Sequence, residues 1–145
     1  MLFRSGNYDG AIAEYESLLS KDSGSMVVAN NLASLLADHR TDKASLDRAV
    51  QLATMLQKSP LPQFKDTLGW VRYREGDYKA ALPLLDDAAT ALPNALVHYH
   101  LGMAYLSTGQ PAKASEQFKL ALAQSPADRG LEEQIRAALA KSGTQ

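Results

Sequence analysis

The chain lacks cysteine throughout its 145 residues, which excludes disulfide frameworks, thiolate metal sites and cysteine nucleophiles. It also lacks an excess of either charge, because 15 basic and 16 acidic side chains leave a formal net charge of -1. Such a chain has no long-range attraction for nucleic acid or an anionic membrane. No apolar run approaches the roughly 20 residues of a membrane helix. We therefore expect a soluble protein with no nucleic-acid partner and no direct membrane insertion.

Catalytic signatures are missing as well. The sequence has no Gly-x-Ser-x-Gly elbow, His-Glu-x-x-His pair, Gly-x-Gly-x-x-Gly turn or Walker loop. His98 and His100 stand two apart on a predicted helix, so they point to different faces and cannot share a metal ion. We predict structural histidines, no catalytic residue, no metal and no cofactor. An enzymatic interpretation would require His98 or His100 beside an acid in a pocket.

What the sequence does contain favours helices. It has 23 Ala and 22 Leu, which lose little entropy in a helix, and 46% hydrophobic residues, enough for the core of one domain. Apolar residues recur at helical spacing between Gly- and Pro-containing turns. The sequence predicts an all-α fold with helices over 8–20, 26–39, 43–57, 64–75, 78–91, 95–108, 111–124 and 129–141.

Three residues mark how these helices begin or bend. Asp77 is a predicted N-cap, and Pro111 is a predicted first-turn proline, because neither position has an intrahelical acceptor for its N–H. Pro83 falls inside a predicted helix, where a missing N–H and a ring clash cost about 3 kcal/mol unless the helix bends or begins late. We expect a local kink at Pro83.

An internal repeat organises the chain. The segment from Leu68 to Leu82 returns at residues 101–115, at an offset of 33 residues. A weaker copy lies earlier, with about four extra residues that we assign to a widened turn around Asp38 to Ser45. We predict a single domain over 1–145, divided into a partial repeat (1–24), a repeat with the widened turn (25–61), two further repeats (62–94 and 95–127) and a capping helix (128–141). Because the first residues fit only the second half of the pattern, we expect the chain to begin mid-repeat and to be truncated at its N-terminus.

Small residues at matching positions of the repeat predict close helix crossings. Gly69 and Gly102, facing Ala81 and Ala114, would let paired helix backbones approach to about 8–10 Å. One such helical hairpin cannot bury its apolar face alone, so each must stack on the next.

With these features the pattern resembles the tetratricopeptide repeat family, whose signature spaces Leu-Gly, Tyr, Ala, Phe and a closing Pro over about 34 residues. The matching residues are Leu101, Gly102, Tyr105, Ala114, Phe118, Ala121 and Pro126, and Leu68, Gly69, Ala81, Ala88 and Pro93. The resemblance implies a right-handed α-solenoid of about three and a half repeats plus the cap. It also implies a scaffold for protein–protein interaction.

A narrower resemblance concerns the runs Asn30-Asn31-Leu32-Ala33 and Asp66-Thr67-Leu68-Gly69-Trp70. These are similar to the C-terminal repeats of long bacterial tetratricopeptide proteins, including lipoproteins linked to exopolysaccharide or protein-sorting systems. Either the cytoplasm or the periplasm is compatible with the sequence.

In the family that the sequence resembles, one face of each first helix lines a concave groove that holds a partner peptide or helix. Carried over by position, this face predicts peptide-binding residues at Asn30, Ser34, Asp66, Trp70, Tyr73, Arg74, Tyr99 and Met103. We expect Trp70 to anchor the partner because the core positions are already filled by other residues. The alternative is that Trp70 and Tyr99 pack against each other between helices.

The predicted partner is a protein or peptide segment. Asp66 in the groove, and the absence of a Lys beside Asn30, favour an apolar or basic segment. The alternative function is self-association within a larger bacterial protein, through apolar surface on the incomplete first repeat.

Overall fold

A computed structural model describes residues 7–143. Residues 1–6, which belong to the predicted partial repeat, and residues 144 and 145 lie outside it. The described chain forms α1 (Tyr8–Lys21), α2 (Met26–His39), α3 (Lys43–Leu56), α4 (Pro62–Arg74), α5 (Tyr78–Ala91), α6 (Ala95–Ser107), α7 (Pro111–Ala123) and α8 (Arg129–Gly143). Every helix begins and ends within about two residues of its predicted bounds. Over residues 7–143, no helix combines the length and apolar character needed to cross a bilayer.

The helix starts follow from local side-chain chemistry. The Asp77 carboxylate accepts a hydrogen bond from the backbone N–H of Ala80 at 3.2 Å, so the predicted N-cap is confirmed. Asn94 caps α6 in the same way, accepting from Val97 at 2.9 Å. Pro111 occupies the first turn of α7, as predicted.

Pro83 lies inside α5 without ending it. The helix runs from Tyr78 to Ala91 and does not begin late. Pro83 is exposed to solvent, and the carbonyl of Lys79 four residues earlier loses its helical N–H donor. The predicted bend at this position stays a prediction.

The helices pack as antiparallel pairs, α2 with α3, α4 with α5, and α6 with α7. The first helices of successive pairs also contact each other, α2 with α4 and α4 with α6, whereas the described parts of α3, α5 and α7 make no such contacts among themselves. The first helices are therefore closer together than the second helices. The stack consequently curves, with α2, α4 and α6 on its concave side and α8 closing the end against α6 and α7.

Glycine sits where paired helices cross most closely. A Cβ added to Gly102 would overlap the Phe118 ring, lying 2.7 Å from its Cδ1, and one added to Gly69 would lie 2.8 Å from the Leu85 side chain. Ala81 and Ala114 on the partner helices are fully buried. The predicted close crossings are present at corresponding positions of the two repeats.

The predicted widened turn around Asp38 to Ser45 is wrong. Residues 40–42 join α2 to α3 with the same length as the links at 75–77 and 108–110. The extra residues lie instead at 57–61, between α3 and α4. This link contains Pro60 and precedes Pro62, and a proline disfavours helical conformation in the residue before it, so α3 cannot continue directly into α4.

Candidate functional site

The concave side carries two adjoining cavities, which together we call the groove. The larger, about 540 Å³, is lined from α1, α2, α4, α6 and the start of α8. The smaller, about 170 Å³, lies between α2, α4 and the start of α6. Both cavities are lined by Asp38, Trp70, Leu96 and His100. One continuous depression thus crosses the inner helices.

The structure brings all eight predicted groove residues to this depression. The larger cavity is lined by Trp70, Tyr73, Arg74, Tyr99 and Met103. The smaller cavity is lined by Asn30, Ser34, Asp66 and Trp70. Positional matching therefore selected one surface of the molecule, although its members differ in how far they are accessible.

Trp70 is part of the core. Its side chain is only 7% exposed, and its Nε1–H donates to Oδ1 of Asp38 at 2.8 Å. The indole stacks between His100 and Tyr73, with ring centroids 4.0 and 4.6 Å away. The expectation that Trp70 is surplus to the core is wrong. Helical periodicity gave its face correctly, but the neighbouring first helices approach closely enough to cover the indole.

Asp66 is also withdrawn from the groove surface. Its Oδ1 lies 2.9 Å from Nδ1 of His100, and both side chains are more than nine-tenths buried. His98 is buried too, with its Nδ1 2.8 Å from Oε1 of Gln117. Each of these histidines has a structural partner, and Asp66 presents no open carboxylate to the groove.

His100 beside Asp66 in a cavity meets the geometric condition that we set for an enzymatic interpretation. A histidine–acid pair requires a nucleophile or a substrate proton within hydrogen-bond reach. Among residues 7–143, no hydroxyl or amine is hydrogen-bonded to His100, and the nearby Ser34 and Thr67 hydroxyls bond each other at 3.3 Å. Within residues 7–143, the pair thus has no nucleophile in hydrogen-bond contact with it.

Polar contacts between successive first helices hold the wall of the groove. They join residues one repeat apart: Ser34 with Thr67, Asp38 with Trp70, Asp66 with His100, and Tyr73 with Ser107. The Asp66–His100 contact is buried, two others are partly buried, and that of Tyr73 with Ser107 is exposed; the covered bonds fix side-chain orientation. The shape of the groove is therefore set before any partner arrives, which reduces the entropy lost on binding.

The accessible part of the groove mixes apolar and aromatic side chains with polar ones. Leu96 is 43% exposed and lines both cavities, while Tyr99 and Met103 are half-buried. Burial raises the pKa of the Tyr99 phenol, and the nearby Tyr73 and Asp38 add to this. Tyr99 therefore stays neutral near pH 7 and can donate a hydrogen bond.

Leu96 is the groove residue that sequence reasoning missed. Leu96, Tyr99 and Met103 stand at i, i+3 and i+7, which places them on one helical face. Leu96 also lies one repeat after Gln63, which lines the smaller cavity. Both signals were present in the sequence.

Two polar atoms of the wall lack a hydrogen bond within the described chain. They are Oδ1 of Asn30 and Nε of Arg74, and both are buried. An unpaired buried polar atom costs about 1–3 kcal/mol, and native structures contain few of them.

Comparisons with known proteins agree with this architecture. A family model for the tetratricopeptide repeat matches residues 67–129. A thermophilic tetratricopeptide repeat protein of Thermus thermophilus is similar in structure, with a TM-score of 0.74, 20% identity, and coverage of 95% of this chain and 76% of that one. MamA from AMB-1 matches with a TM-score of 0.68 and 27% identity over 96% of this chain and 79% of its own.

MamA of Desulfovibrio magneticus RS-1, from residue 41 to its end, matches with a TM-score of 0.63 and 22% identity, covering 99% of this chain and 85% of that one. No curated protein sequence gives a significant match. The predicted all-α solenoid is confirmed, and the narrower resemblance to repeats of bacterial lipoproteins stays a prediction. Residues 67–129 match the tetratricopeptide repeat model, and the described chain has the fold of these tetratricopeptide repeat and MamA structures.

Proposed function

We propose that this chain is a non-catalytic scaffold that binds a segment of a partner protein in the groove. The fold is that of protein–protein interaction scaffolds in general. The observation that carries the finer proposal is the 540 Å³ cavity on the concave side, where Leu96, Tyr99 and Met103 remain accessible. A concave site in which apolar and aromatic side chains lie beside a few polar groups is typical of a binding site.

Within this proposal the predicted anchors divide into two roles. Tyr73, Tyr99 and Met103, joined by Leu96, contact the partner directly, because each is partly open to the larger cavity. Aromatic and Met side chains at such positions frequently dominate binding energy, at roughly 2 kcal/mol or more on truncation. Trp70 shapes the wall behind them.

Asn30 has a different part in the proposal. Its Oδ1 is buried without a hydrogen bond in the described chain, beside the smaller cavity. A main-chain N–H of the partner segment would satisfy this acceptor if the Asn30 side chain turned toward the smaller cavity. The interaction favours a peptide partner with accessible backbone over a fully helical one, whose N–H groups are already bonded.

The test selects peptides that bind the protein and then maps where they bind. Peptides are selected from a random display library on the immobilised protein, and a selected peptide is titrated into isotopically labelled protein. We expect amide chemical shifts to move on α2, α4 and α6, because these helices line the groove. Shifts confined to α3, α5 and α7, or no selectable peptide, would contradict the proposal.

Self-association is the second candidate function. Leu18 on α1 is 42% exposed, and α1 packs mainly against α2, with an ion pair from Glu16 to Arg48 of α3. Exposed apolar surface on such a helix favours contact with a second copy. Light scattering at increasing protein concentration is expected to show dimers that Leu18→Asp abolishes, and a monomer at all concentrations would exclude this candidate for the chain studied.

A further inference from the structure

Arg74 differs from most arginines of the described chain in having no carboxylate partner. Four others form ion pairs: Arg40 with Asp9, Arg48 with Glu16, Arg72 with Glu75, and Arg136 with Glu132. Within residues 7–143, no carboxylate lies within ion-pair distance of Arg74, although this side chain lines the larger cavity. The groove thus contains a cation that the fold does not neutralise.

The inner part of the Arg74 side chain is packed into the wall. Its Nε is sealed from solvent and makes no hydrogen bond in the described chain. The two terminal nitrogens make no hydrogen bond there either and are not sealed, so they open into the cavity. A guanidinium held in this way loses little conformational entropy when it binds an anion.

The carboxylates near the groove each accept a hydrogen bond within the fold, and none lies within ion-pair distance of Arg74, although Asp38 and Asp128 are exposed to solvent. Asp66 is buried against His100, and Asp38 accepts the indole N–H of Trp70. Asp128 accepts from the backbone N–H of Leu131 at 3.1 Å, at the start of α8. The reason for expecting a basic or apolar partner was an open Asp66, and that reason does not hold in the structure.

We propose that Arg74 binds the side-chain carboxylate of an Asp or Glu within the partner segment. This inference rests on the proposed function of the groove. Arginine presents two parallel N–H groups that match a carboxylate, and such charge-assisted bonds are among the strongest in proteins. Tyr73 and Tyr99 line the same cavity, and a peptide seated against them would shield the pair from solvent and strengthen it.

The position of Arg74 selects an internal side chain over a terminal carboxylate. Arg74 lies on α4, the middle one of the five helices that line the larger cavity. A segment that crosses the whole groove would continue on both sides of Arg74, and at that point only its side chains can supply a carboxylate.

The test uses peptides selected on the wild-type protein, with affinities measured by fluorescence anisotropy. We expect one acidic position to recur among them. Arg74→Gln, and Glu→Gln at that position of the peptide, should each weaken binding by about tenfold or more, with little further loss when the two are combined. Arg72→Gln is the matched control, because Arg72 is on the same helix, partly buried and outside the groove. The peptide affinity of this variant should equal that of the wild type.

Reversing the charge at Arg74 and at the acidic position of the peptide tests for a gain of binding, which a misfolded variant would not show. Arg74→Glu should bind the peptide carrying Lys at the acidic position more tightly than the original peptide. If peptides move amide chemical shifts on α2, α4 and α6 but have the same affinity for Arg74→Gln and for the wild type, this inference is overturned. The groove proposal would then still stand. Loss of affinity on amidating the peptide's C-terminus, rather than on Glu→Gln, would overturn this inference as well.

Discussion

Trp70→Ala is expected to lower the free energy of unfolding by about 3–5 kcal/mol. The indole is 7% exposed, stacks on His100 and Tyr73, and ties α4 to α2 through Asp38. Truncation would leave a cavity at the junction of three first helices and an unpaired His100 face. Denaturant unfolding followed by circular dichroism measures the loss, with the slope of the transition checked for two-state behaviour.

Trp70→Phe separates the packing of the indole from its hydrogen bond. This variant retains an aromatic ring but removes the N–H that Asp38 accepts. Because Asp38 is exposed and can be rehydrated, we expect a smaller loss of about 1–2 kcal/mol. If Trp70→Ala unfolds at the same denaturant concentration as the wild type, the indole is not part of the core in solution.

Gly102→Ala is expected to destabilise the chain by about 2 kcal/mol, although alanine is the better helix former by about 1 kcal/mol. The new Cβ would overlap the Phe118 ring, and this ring is fully buried with no room to turn. Helices α6 and α7 must therefore move apart. Gly69→Ala should destabilise the chain as well, because its Cβ would lie 2.8 Å from Cγ of the fully buried Leu85 and 3.1 Å from Cβ of Leu84.

Two comparisons identify the crowding as the cause. Gly143→Ala places a Cβ in open space within α8 and should leave stability nearly unchanged. Gly102→Ala combined with Phe118→Leu should be less destabilising than the sum of the two single changes, because the smaller side chain gives room for the Cβ. Equal thermal midpoints for Gly102→Ala and Gly143→Ala would show that α6 and α7 do not cross closely at this glycine.

The helices and their crossings could be predicted because their signals are local. Asp77 begins a helix through a contact three residues away, and Pro111 fits a first turn whatever surrounds it. Gly69 and Gly102 recur at one offset, so a close crossing in one repeat implied the other. The widened turn was placed wrongly because the apolar pattern counts extra residues but does not say which side of α3 holds them.

The sequence could predict which helix faces line the groove, but not which residues on those faces are accessible to a partner. Positional matching located its eight residues, but the burial of Trp70 and Asp66 depends on partners 32 and 34 residues away. Whether such residues meet is set by the rotation between successive helix pairs, and helical periodicity within one pair does not determine that rotation. The same limitation hid the unpaired guanidinium of Arg74, since an ion pair is recognised only when every neighbour is in place.

The most direct test of the groove as the binding surface compares two exposed leucines. Leu96 lines both cavities and is 43% exposed, whereas Leu120 on α7 is 41% exposed and lines neither cavity. Affinity for a selected peptide should fall about tenfold or more in Leu96→Asp and stay at the wild-type value in Leu120→Asp, with equal helicity in both. Equal losses in the two variants, or a loss only in Leu120→Asp, would show that the partner does not bind on the concave side.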